Sequence, residues 1–488
     1  MPPAPPSFSS SVTHRVERLV LPSARVWYSL RLSERKILLF AVDVAAIAAA
    51  LLITLALRLG LGWSWQVVAA HASWFVLLIG EWSLCAPLIG LYDLRTASRI
   101  STGATSAALG ATVVAVAYLF TPVITPPLLY SRLTAVTFMT LMVGAVTVGR
   151  TVYARLLVQP SFRHRVLIVG AGWAGRALAE ALRTHAAGEY DVAGFVDDDA
   201  SRLGDTIGDL PVMGTSADLG RLADEHRVSE VIVAVIRHET LEAPLLQEII
   251  HCHERGIQVT LMQTVYERLT GRVPVEHAGK SLHVLLPTDR DSNRVYLVVK
   301  RGTDILFGLV GSVVTLAVLP LVALAVRLES RGPVFYRQVR VGQGGRLFTL
   351  VKFRTMIEDA EAEGPMWAQE IDERVTRVGG LLRRLHIDEL PQALNIVRGE
   401  MSMVGPRPER PEFVNKLETG IAFYRARHAM RPGLTGWAQV NYRYGRSTED
   451  AMVKLQYDLY YIKHCSLFLD GLILVKTIGL VLTGRGVS

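Results

Sequence analysis

The chain has few of the residues that mark disulfide-stabilised or nucleic-acid-binding proteins. It has only three cysteines in 488 residues, Cys85, Cys252 and Cys465, and none lie in a CxxC spacing. This argues against a disulfide framework or a zinc site and is typical of a reducing compartment. Aromatic residues make up 8% of the chain, and no basic stripe is interleaved with them. We therefore expect no nucleic-acid partner.

A secretory signal is also missing from the N-terminus. The opening "MPPAPPSFSSSVTHRVERLV" lacks the basic start and apolar core of a cleaved signal peptide. We interpret residues 1–36 as a cytoplasmic tail.

Apolar residues, in contrast, are abundant. Half of the chain is hydrophobic, and the mean hydropathy is +0.30. Such a composition indicates membrane segments. The formal net charge of +8 would suit anionic lipid or a phosphorylated substrate.

Four apolar runs, at residues 37–57, 65–90, 103–126 and 131–157, are each about as long as the ~20 residues that cross a bilayer. The segments before the first run, after the second and after the fourth are rich in basic residues, whereas the other two gaps have one arginine each. This alternation follows the positive-inside rule and predicts a transmembrane region at 37–160 with both ends cytoplasmic. The alternative is a set of buried helices in a soluble core.

Residues 161–290 show a different pattern. "RVLIVGAGWAGRALAEAL" is a strand, a glycine turn and an amphipathic helix, and the strand-like runs "DVAGFV", "VSEVIVAVI" and "GIQVTLM" follow. Alternating strands and helices predict a Rossmann-like, doubly wound parallel sheet. Gly170, Gly172 and Gly175 form G-x-G-x-x-G, and Asp197 ends the next strand. This turn either binds a pyrophosphate or only packs the helix on the strand.

A fifth apolar run, residues 303–326, contains Pro320 and has basic residues on both sides. Both flanks prefer the cytoplasmic face, and proline bends a helix. We therefore predict a re-entrant helix; a straight fifth crossing is the alternative. Tyr296 and Lys300 have the Tyr-x3-Lys spacing of short-chain reductases, but we interpret Lys300 as a membrane anchor beside Arg301.

The stretch "LHIDELPQALNIVRGEMSMVGPRPE" contains adjacent carboxylates, Asp388 and Glu389. One reading makes Asp388 the cap of a helix over 389–398 that Gly399 ends. The other is phosphate chemistry with Mg²⁺, in which one carboxylate holds the metal and the other faces phosphorus. Arginine forks match phosphate oxygens. The nearby basic residues include Arg337, Arg340, Lys352, Arg354, Arg383 and Arg407.

The span from about residue 300 onward resembles the bacterial sugar transferase family, the monotopic phosphoglycosyl transferases. The matching blocks are "KRGTD", "GPVFYRQVRVG", "VKFRTM", "DELPQALNIVRGEMSMVGPRPE", "RPGLTGWAQVN" and "DLYYIKHCSLFLD". With the four spans and the α/β domain, the chain resembles the long members, the undecaprenyl-phosphate glucose or galactose phosphotransferases. In those members the α/β domain is not generally known as catalytic.

The resemblance implies a fold and an activity. The C-terminal part, 291–488, would be an α-rich catalytic domain. Asp388 would attack the β-phosphate of a UDP-sugar, release UMP and hold the phospho-sugar until undecaprenyl phosphate accepts it. The protein would lie in the bacterial inner membrane, with its active site on the cytoplasmic face, as a homodimer. It would initiate exopolysaccharide, capsule or O-antigen synthesis.

The resemblance also assigns residues. Glu389 would bind Mg²⁺. The substrate-binding residues would be Lys352, Arg354, Arg383, Arg407, Arg337, Arg340 and Gln439, and the residues that set the re-entrant helix would be Lys300, Arg301, Asp304 and Pro320. His386-Ile387 stands where the family often has Ser-Leu, and we expect His386 only to fill space. The competing hypothesis is a membrane-bound NAD(P)-dependent nucleotide-sugar dehydratase or epimerase.

Overall fold

The structure is a computed structural model. It describes residues 32–60, 66, 69, 72–88, 91–92, 97, 100–121, 131–156, 163–186, 188–235, 243–275, 293–358, 360, 372–442 and 447–483. The predicted tail at 1–36 lies mostly outside the described residues. Its last five residues are part of the first helix, which begins at Leu32.

Four helices form the N-terminal region: α1 (Leu32–Leu59), α2 (Ala72–Leu88), α3 (Ile100–Leu119) and α4 (Arg132–Leu156). They share one apolar core that includes Trp82, Tyr118 and Phe138. By length and composition, α1, α3 and α4 are able to cross a membrane, whereas α2 has only 17 residues. The chain is therefore a membrane protein; most of the predicted run at 65–90 that precedes Ala72 lies outside the described residues.

A buried ion pair ties α1 to α4 and corrects one part of the charge pattern. The guanidinium of Arg150 donates to Asp43 Oδ2 at 2.7 Å, and the Tyr92 hydroxyl donates to the same oxygen at 3.0 Å. Arg150 and Asp43 are 2% and 1% exposed, so Arg150 is buried and contributes nothing to a basic flank at the membrane surface. The basic flank after α4 therefore depends on Arg155 and the arginines that follow it.

The α/β domain has one six-stranded sheet in the order β3-β4-β2-β1-β5-β6. Its elements are β1 (His164–Val169), α5 (Trp173–Ala186), β2 (Tyr190–Val196), β3 (Thr206–Ile207), β4 (Leu210–Gly214), α6 (Leu219–Glu225), β5 (Glu230–Val233), α7 (Ala243–Glu254), β6 (Gln258–Leu261) and α8 (Met262–Thr270).

The sheet is mixed rather than wholly parallel. Five strands run parallel, and β3 pairs antiparallel with β4 at one edge. The two-residue β3 is too short to show periodicity in the sequence, and Gly208 (φ 62°) supplies the tight turn into β4.

The C-terminal domain, residues 293–483, begins with α9 (Asn293–Glu329) and the antiparallel hairpin β7 (Phe335–Val341) and β8 (Leu347–Phe353). The elements that follow are α10 (Arg377–Arg384), α11 (Ala393–Arg398), β9 (Ser402–Val404), α12 (Pro411–Gly420), β10 (Gly433–Thr435), α13 (Trp437–Asn441), α14 (Thr448–His464) and α15 (Leu467–Thr483). Helix α9 begins ten residues before the predicted run and continues past Pro320.

One face of α9 packs on the C-terminal domain along the whole helix. Buried positions recur at intervals of four or seven residues, at Lys300, Asp304, Gly308, Thr315, Val322 and Val326. The opposite face exposes large apolar side chains, among them Leu306, Leu309, Val313, Leu316 and Leu324. Near the far end, Glu329 accepts hydrogen bonds from the backbone amides of Arg377 and Val378 at 2.7 and 2.8 Å. Both ends of α9 therefore contact the same domain.

The α/β domain joins the C-terminal domain through the end of α8. Glu267 accepts from Lys463 at 2.8 Å and lies 2.9 Å from His464 Nε2. Beyond α8, Val273 and Val275 belong to the apolar core of the C-terminal domain. Residues 271–275 therefore pack with the C-terminal domain, although the prediction placed them in the α/β domain.

Candidate active site

The two adjacent carboxylates lie on a short 3₁₀ helix, Ile387–Gln392, that precedes α11. His386 precedes this helix in the left-handed region (φ 54°), and Asp388 makes no capping hydrogen bond. The prediction that Asp388 caps a helix is therefore wrong, whereas Gly399, in the left-handed region, ends α11 as expected. The Asp388 carboxylate remains free for another role.

The threefold repeat of a 3₁₀ helix separates its side chains onto three faces. Ile387 and Leu390 form the apolar face and pack in the cluster that includes Val322 of α9 and Phe353 of β8. Thr315 of α9 donates to the Leu390 carbonyl at 3.0 Å. Asp388 and Glu389 occupy the other two faces. The carboxylates therefore point in different directions, and α9 packs directly against the helix that carries them.

Glu389 lies between two cations. Its Oε1 accepts from Lys352 Nζ at 2.6 Å and from Arg407 NH2 at 3.1 Å. Burial alone would raise the pKa of Glu389, but the charges of Lys352 and Arg407 outweigh it and hold the pKa well below its usual range. Glu389 is therefore ionised at neutral pH.

Asp388 is only 8% exposed, and among the described residues its carboxylate has no hydrogen-bond or ion-pair partner. Burial raises the pKa of Asp388, while the nearby charges of Lys352, Arg383 and Arg407 oppose this rise. Arg383 is held by Thr355, whose Oγ1 accepts from Arg383 Nε at 2.9 Å. Asp388 is thus a weakly solvated carboxylate with three cations close by.

Three of the seven predicted substrate-binding residues, Lys352, Arg383 and Arg407, surround the carboxylates. Arg354 instead holds the end of α9, since it donates to the carbonyls of Ser330 and Arg331 at 2.9 and 2.6 Å.

The other three predicted residues also lie away from the carboxylates. Arg340 donates to the Pro408 carbonyl at 2.9 Å. Arg337 is exposed and pairs with Val351, so it faces away from Lys352 on the hairpin. Gln439 donates to the Leu434 carbonyl at 3.2 Å.

A buried ion pair that the sequence did not reveal fixes the backbone of Arg407. Arg427 donates to Asp458 at 2.8 Å, to the Arg407 carbonyl at 3.1 Å and to the Tyr424 hydroxyl at 2.7 Å. Arg427 and Arg340 thus hold the consecutive carbonyls of Arg407 and Pro408 in the segment Pro406-Arg407-Pro408, called the "PRP" segment below. Arg427 and Asp458 are 31 positions apart, and no local motif marks such a pair.

The polar residues at the start of α9 fix the helix to the C-terminal domain. Arg301 donates to the carbonyls of Ile396 and Val397, at the end of α11, at 2.8 and 2.7 Å. Asp304 accepts from the Ser402 hydroxyl and the Met403 amide, both at 2.9 Å. These contacts agree with a role in setting the position of α9.

Lys300 differs from its predicted role. Its ammonium is buried and donates to Asp470 at 2.8 Å and to the Tyr461 hydroxyl at 3.0 Å. It is therefore an internal ion-pair partner rather than a membrane-surface anchor. Tyr296 donates to the same carboxylate at 3.1 Å, so the Tyr-x3-Lys pair serves this buried cluster.

The glycine turn lies between β1 and α5, as predicted. Gly170 has φ 104°, which only glycine adopts readily. Asp197 accepts from the Ala171 amide at 2.7 Å and pairs with Arg202 at 3.1 Å. The Asp197 carboxylate, directly after β2, thus binds the backbone of the glycine turn.

The ionised Glu389 is the carboxylate that suits a magnesium ion best. Mg²⁺ usually takes one or two carboxylates, with substrate phosphates and water completing its shell. Asp388 offers oxygens that no described residue engages, and Glu389 stays ionised. No group of three or more His, Cys, Asp or Glu side chains in the described ranges is arranged to hold a metal, so phosphate and water would have to supply the remaining ligands.

Together, the apolar α9 and the cation-lined carboxylate pair define a membrane-associated domain built for phosphate chemistry. A profile of the bacterial sugar transferase family matches residues 295–484. A second profile, described as a CoA-binding domain, matches residues 87–242 and so includes helices ahead of the sheet.

Several relatives are similar over long stretches. The chain is 35% identical over 416 residues to the UDP-N-acetylgalactosamine-undecaprenyl-phosphate N-acetylgalactosaminephosphotransferase of Aeromonas hydrophila, covering 83% of this chain and 93% of that relative. It is 32% identical over 358 residues to the undecaprenyl-phosphate glucose phosphotransferase of Komagataeibacter xylinus, covering 70% of this chain and 64% of that one.

A third relative is the UDP-glucose:undecaprenyl-phosphate glucose-1-phosphate transferase of Escherichia coli (strain K12), with 30% identity over 319 residues, 65% of this chain and 67% of the relative. The chain belongs to the bacterial sugar transferase family, which confirms the resemblance seen in its sequence motifs.

Proposed function

We propose that this protein is a phosphoglycosyl transferase that moves a sugar 1-phosphate from a UDP-sugar to undecaprenyl phosphate and releases UMP. The observation that carries the proposal is the arrangement around Asp388, a buried carboxylate without a described partner beside the Lys352–Glu389–Arg407 cluster. The names of the relatives supply the substrate classes. The resemblance of the sequence motifs to the long family members further implies that this reaction begins the assembly of exopolysaccharide, capsule or O-antigen.

The reaction proceeds in two displacements. An Asp388 oxygen bonds to the β-phosphorus of the donor, and the bond from that phosphorus to the bridging oxygen breaks and releases UMP. An oxygen of undecaprenyl phosphate then attacks the same phosphorus, and the bond to Asp388 breaks. Lys352, Arg383 and Arg407 reduce the repulsion between the carboxylate and the anionic diphosphate.

Glu389 would hold Mg²⁺, which would supply further positive charge for the phosphates. The contacts of Glu389 already fix its position: Lys352 and Arg407 both donate to Oε1. In this arrangement Glu389 binds and orients, whereas Asp388 reacts.

We further propose that α9 is re-entrant and places the active site at the cytoplasmic surface of the inner membrane. Support comes from the apolar outer face of α9 and from the contact of both its ends with one domain. The helix that carries Asp388 packs against α9, so a lipid phosphate at this surface meets a water-soluble donor there. The homodimer stays a prediction.

The direct test combines purified protein in nanodiscs, undecaprenyl phosphate, Mg²⁺ and a panel of UDP-sugars, with UMP release as the readout. Asp388→Asn should reduce release to background. Asp191→Asn changes an exposed carboxylate of the α/β domain and should leave release unchanged. UMP release by Asp388→Asn at the wild-type rate would contradict the proposal.

The covalent step has its own test. Without lipid acceptor, wild type should release about one UMP per active site and gain the mass of a phospho-sugar, which Asp388→Asn should not do. Absence of both signals in an enzyme that turns over with lipid present would instead indicate direct transfer.

Side-specific labelling tests the topology. Arg294→Cys and Arg331→Cys introduce thiols at exposed positions at the two ends of α9. A membrane-impermeant reagent should label both only from the cytoplasmic side. Labelling from opposite sides would show that α9 crosses the bilayer.

A further inference from the structure

Glu389 is part of a polar ridge along the helix that carries the carboxylates. Side chains three positions apart eclipse in a 3₁₀ helix, so His386, Glu389 and Gln392 follow one edge. Asn395 continues the ridge into α11 and contacts β8 near Lys352. The ridge thus faces the hairpin that supplies Lys352.

The hydrogen bonding along this ridge is uneven. Asn395 is fully satisfied: its amide nitrogen donates to the Thr349 carbonyl and to Glu400 at 2.8 and 2.7 Å, and its oxygen accepts from the Val351 amide at 3.3 Å. Gln392 is 3% exposed, yet its Nε2 has no hydrogen-bond partner in the described part of the chain. The same holds for Nδ1 of His386.

A buried donor without a partner is costly, and folded proteins keep few of them. These two lie on either side of Glu389, which Lys352 and Arg407 hold. Gln392 is 3% exposed and lies one 3₁₀ turn after Glu389 on the same edge, so a phosphoryl group held by Lys352 and Arg407 beside Glu389 would lie next to Gln392.

We propose that Gln392 is a further substrate-binding residue, whose amide N–H donates to an oxygen of the phosphoryl group that Asp388 takes up. This inference rests on the proposed function. A neutral amide suits the position, since it binds the phosphoryl oxygen without competing with Lys352 and Arg407 for Glu389.

The test uses Gln392→Met, which keeps the length of the side chain and removes the donor. In the acceptor-free assay, the first-step rate of UMP release should fall roughly 10- to 100-fold, the usual loss for a hydrogen bond to a charged group. The thermal unfolding midpoint without substrate should stay equal or rise, because a donor without a protein partner has been removed.

Asn395→Leu is the matched control on the same ridge, since its side chain is satisfied within the protein. Its unfolding midpoint should fall. If Gln392→Met also lowers the midpoint, or if its first-step rate matches wild type, the inference is overturned. The same holds if only the KM for undecaprenyl phosphate changes, because the contact would then be to the lipid phosphate. Absence of UMP release by wild type would instead refute the proposed function.

Discussion

The packing of α9 against α11 gives the sharpest structural prediction. Gly311 of α9 faces Ala393, the first residue of α11, directly after the 3₁₀ helix that carries Asp388 and Glu389. A Cβ at Gly311 would lie 3.0 Å from the Cβ of Ala393, and one at Gly308 would lie 2.9 Å from Cγ2 of Val397. At Gly302 nothing lies within 4 Å.

These distances set the expected effect of Gly311→Ala. Carbon atoms rest about 3.5–4.0 Å apart, so the helices must separate by a few tenths of an ångström. The Cβ of Ala393 has no rotatable bond by which it could move away, whereas Val397 is able to turn. Gly→Ala favours a helix by about 1 kcal/mol, but overpacking typically costs about 1–3 kcal/mol. A shift of about 1 Å in a catalytic group can reduce the rate by up to about 10²-fold.

Gly302→Ala is the matched control, because it gains the same helix propensity on the same helix without a new contact. We expect Gly302→Ala to raise the unfolding midpoint and leave kcat unchanged. Gly311→Ala should be less stable than that control by about 1–3 kcal/mol, and its kcat should fall by less than the roughly 10²-fold that a displacement of about 1 Å can cause. Equal kcat and equal midpoints for the two variants in nanodiscs would refute the packing of α9 against the carboxylate helix.

Three further predictions concern buried ion pairs. Asp470→Asn leaves Lys300 buried without its charge partner and should lower the free energy of unfolding by about 3–5 kcal/mol, measured by chemical denaturation. Replacing both residues by apolar ones should lower it much less. Equal losses for the two variants would contradict this pairing. Asp458→Asn weakens the hold of Arg427 on the "PRP" segment, so the KM for the UDP-sugar should rise more than kcat falls, and a change in kcat alone would speak against it. Glu267→Gln should weaken the contact between the α/β and C-terminal domains and speed amide hydrogen exchange in α8. Unchanged exchange would show that the apolar contacts alone hold the two domains together.

Much of the architecture followed from local patterns in the sequence. Apolar runs fixed the membrane helices because crossing a bilayer demands continuous hydrophobic length. Strand-like runs identified β1, β2, β5 and β6, but β3 and β4, strands of two and five residues, were missed because neither shows a clear periodicity. The motif that includes Asp388 and Glu389 led to the candidate site, and the catalytic roles of these residues stay predictions.

The sequence did not show which arginines lie near Asp388 and which hold backbone carbonyls. Arg340, Arg354 and Arg383 look alike in the motifs, yet only Arg383 lies near Asp388, while the other two hold backbone carbonyls. Which carbonyl a guanidinium reaches depends on how hairpin, loop and helix pack together.

The sequence by itself determined the class of this protein, since hydrophobic length, basic flanks and motif order are properties of the linear chain. Only the tertiary structure decided that Asp388 is free of capping, that Lys300 is internal rather than lipid-facing, and that Gln392 lies in line with Glu389. The physical reason is that a charged or polar side chain takes its role from its partners. In this fold those partners are brought together from positions tens to more than a hundred residues apart.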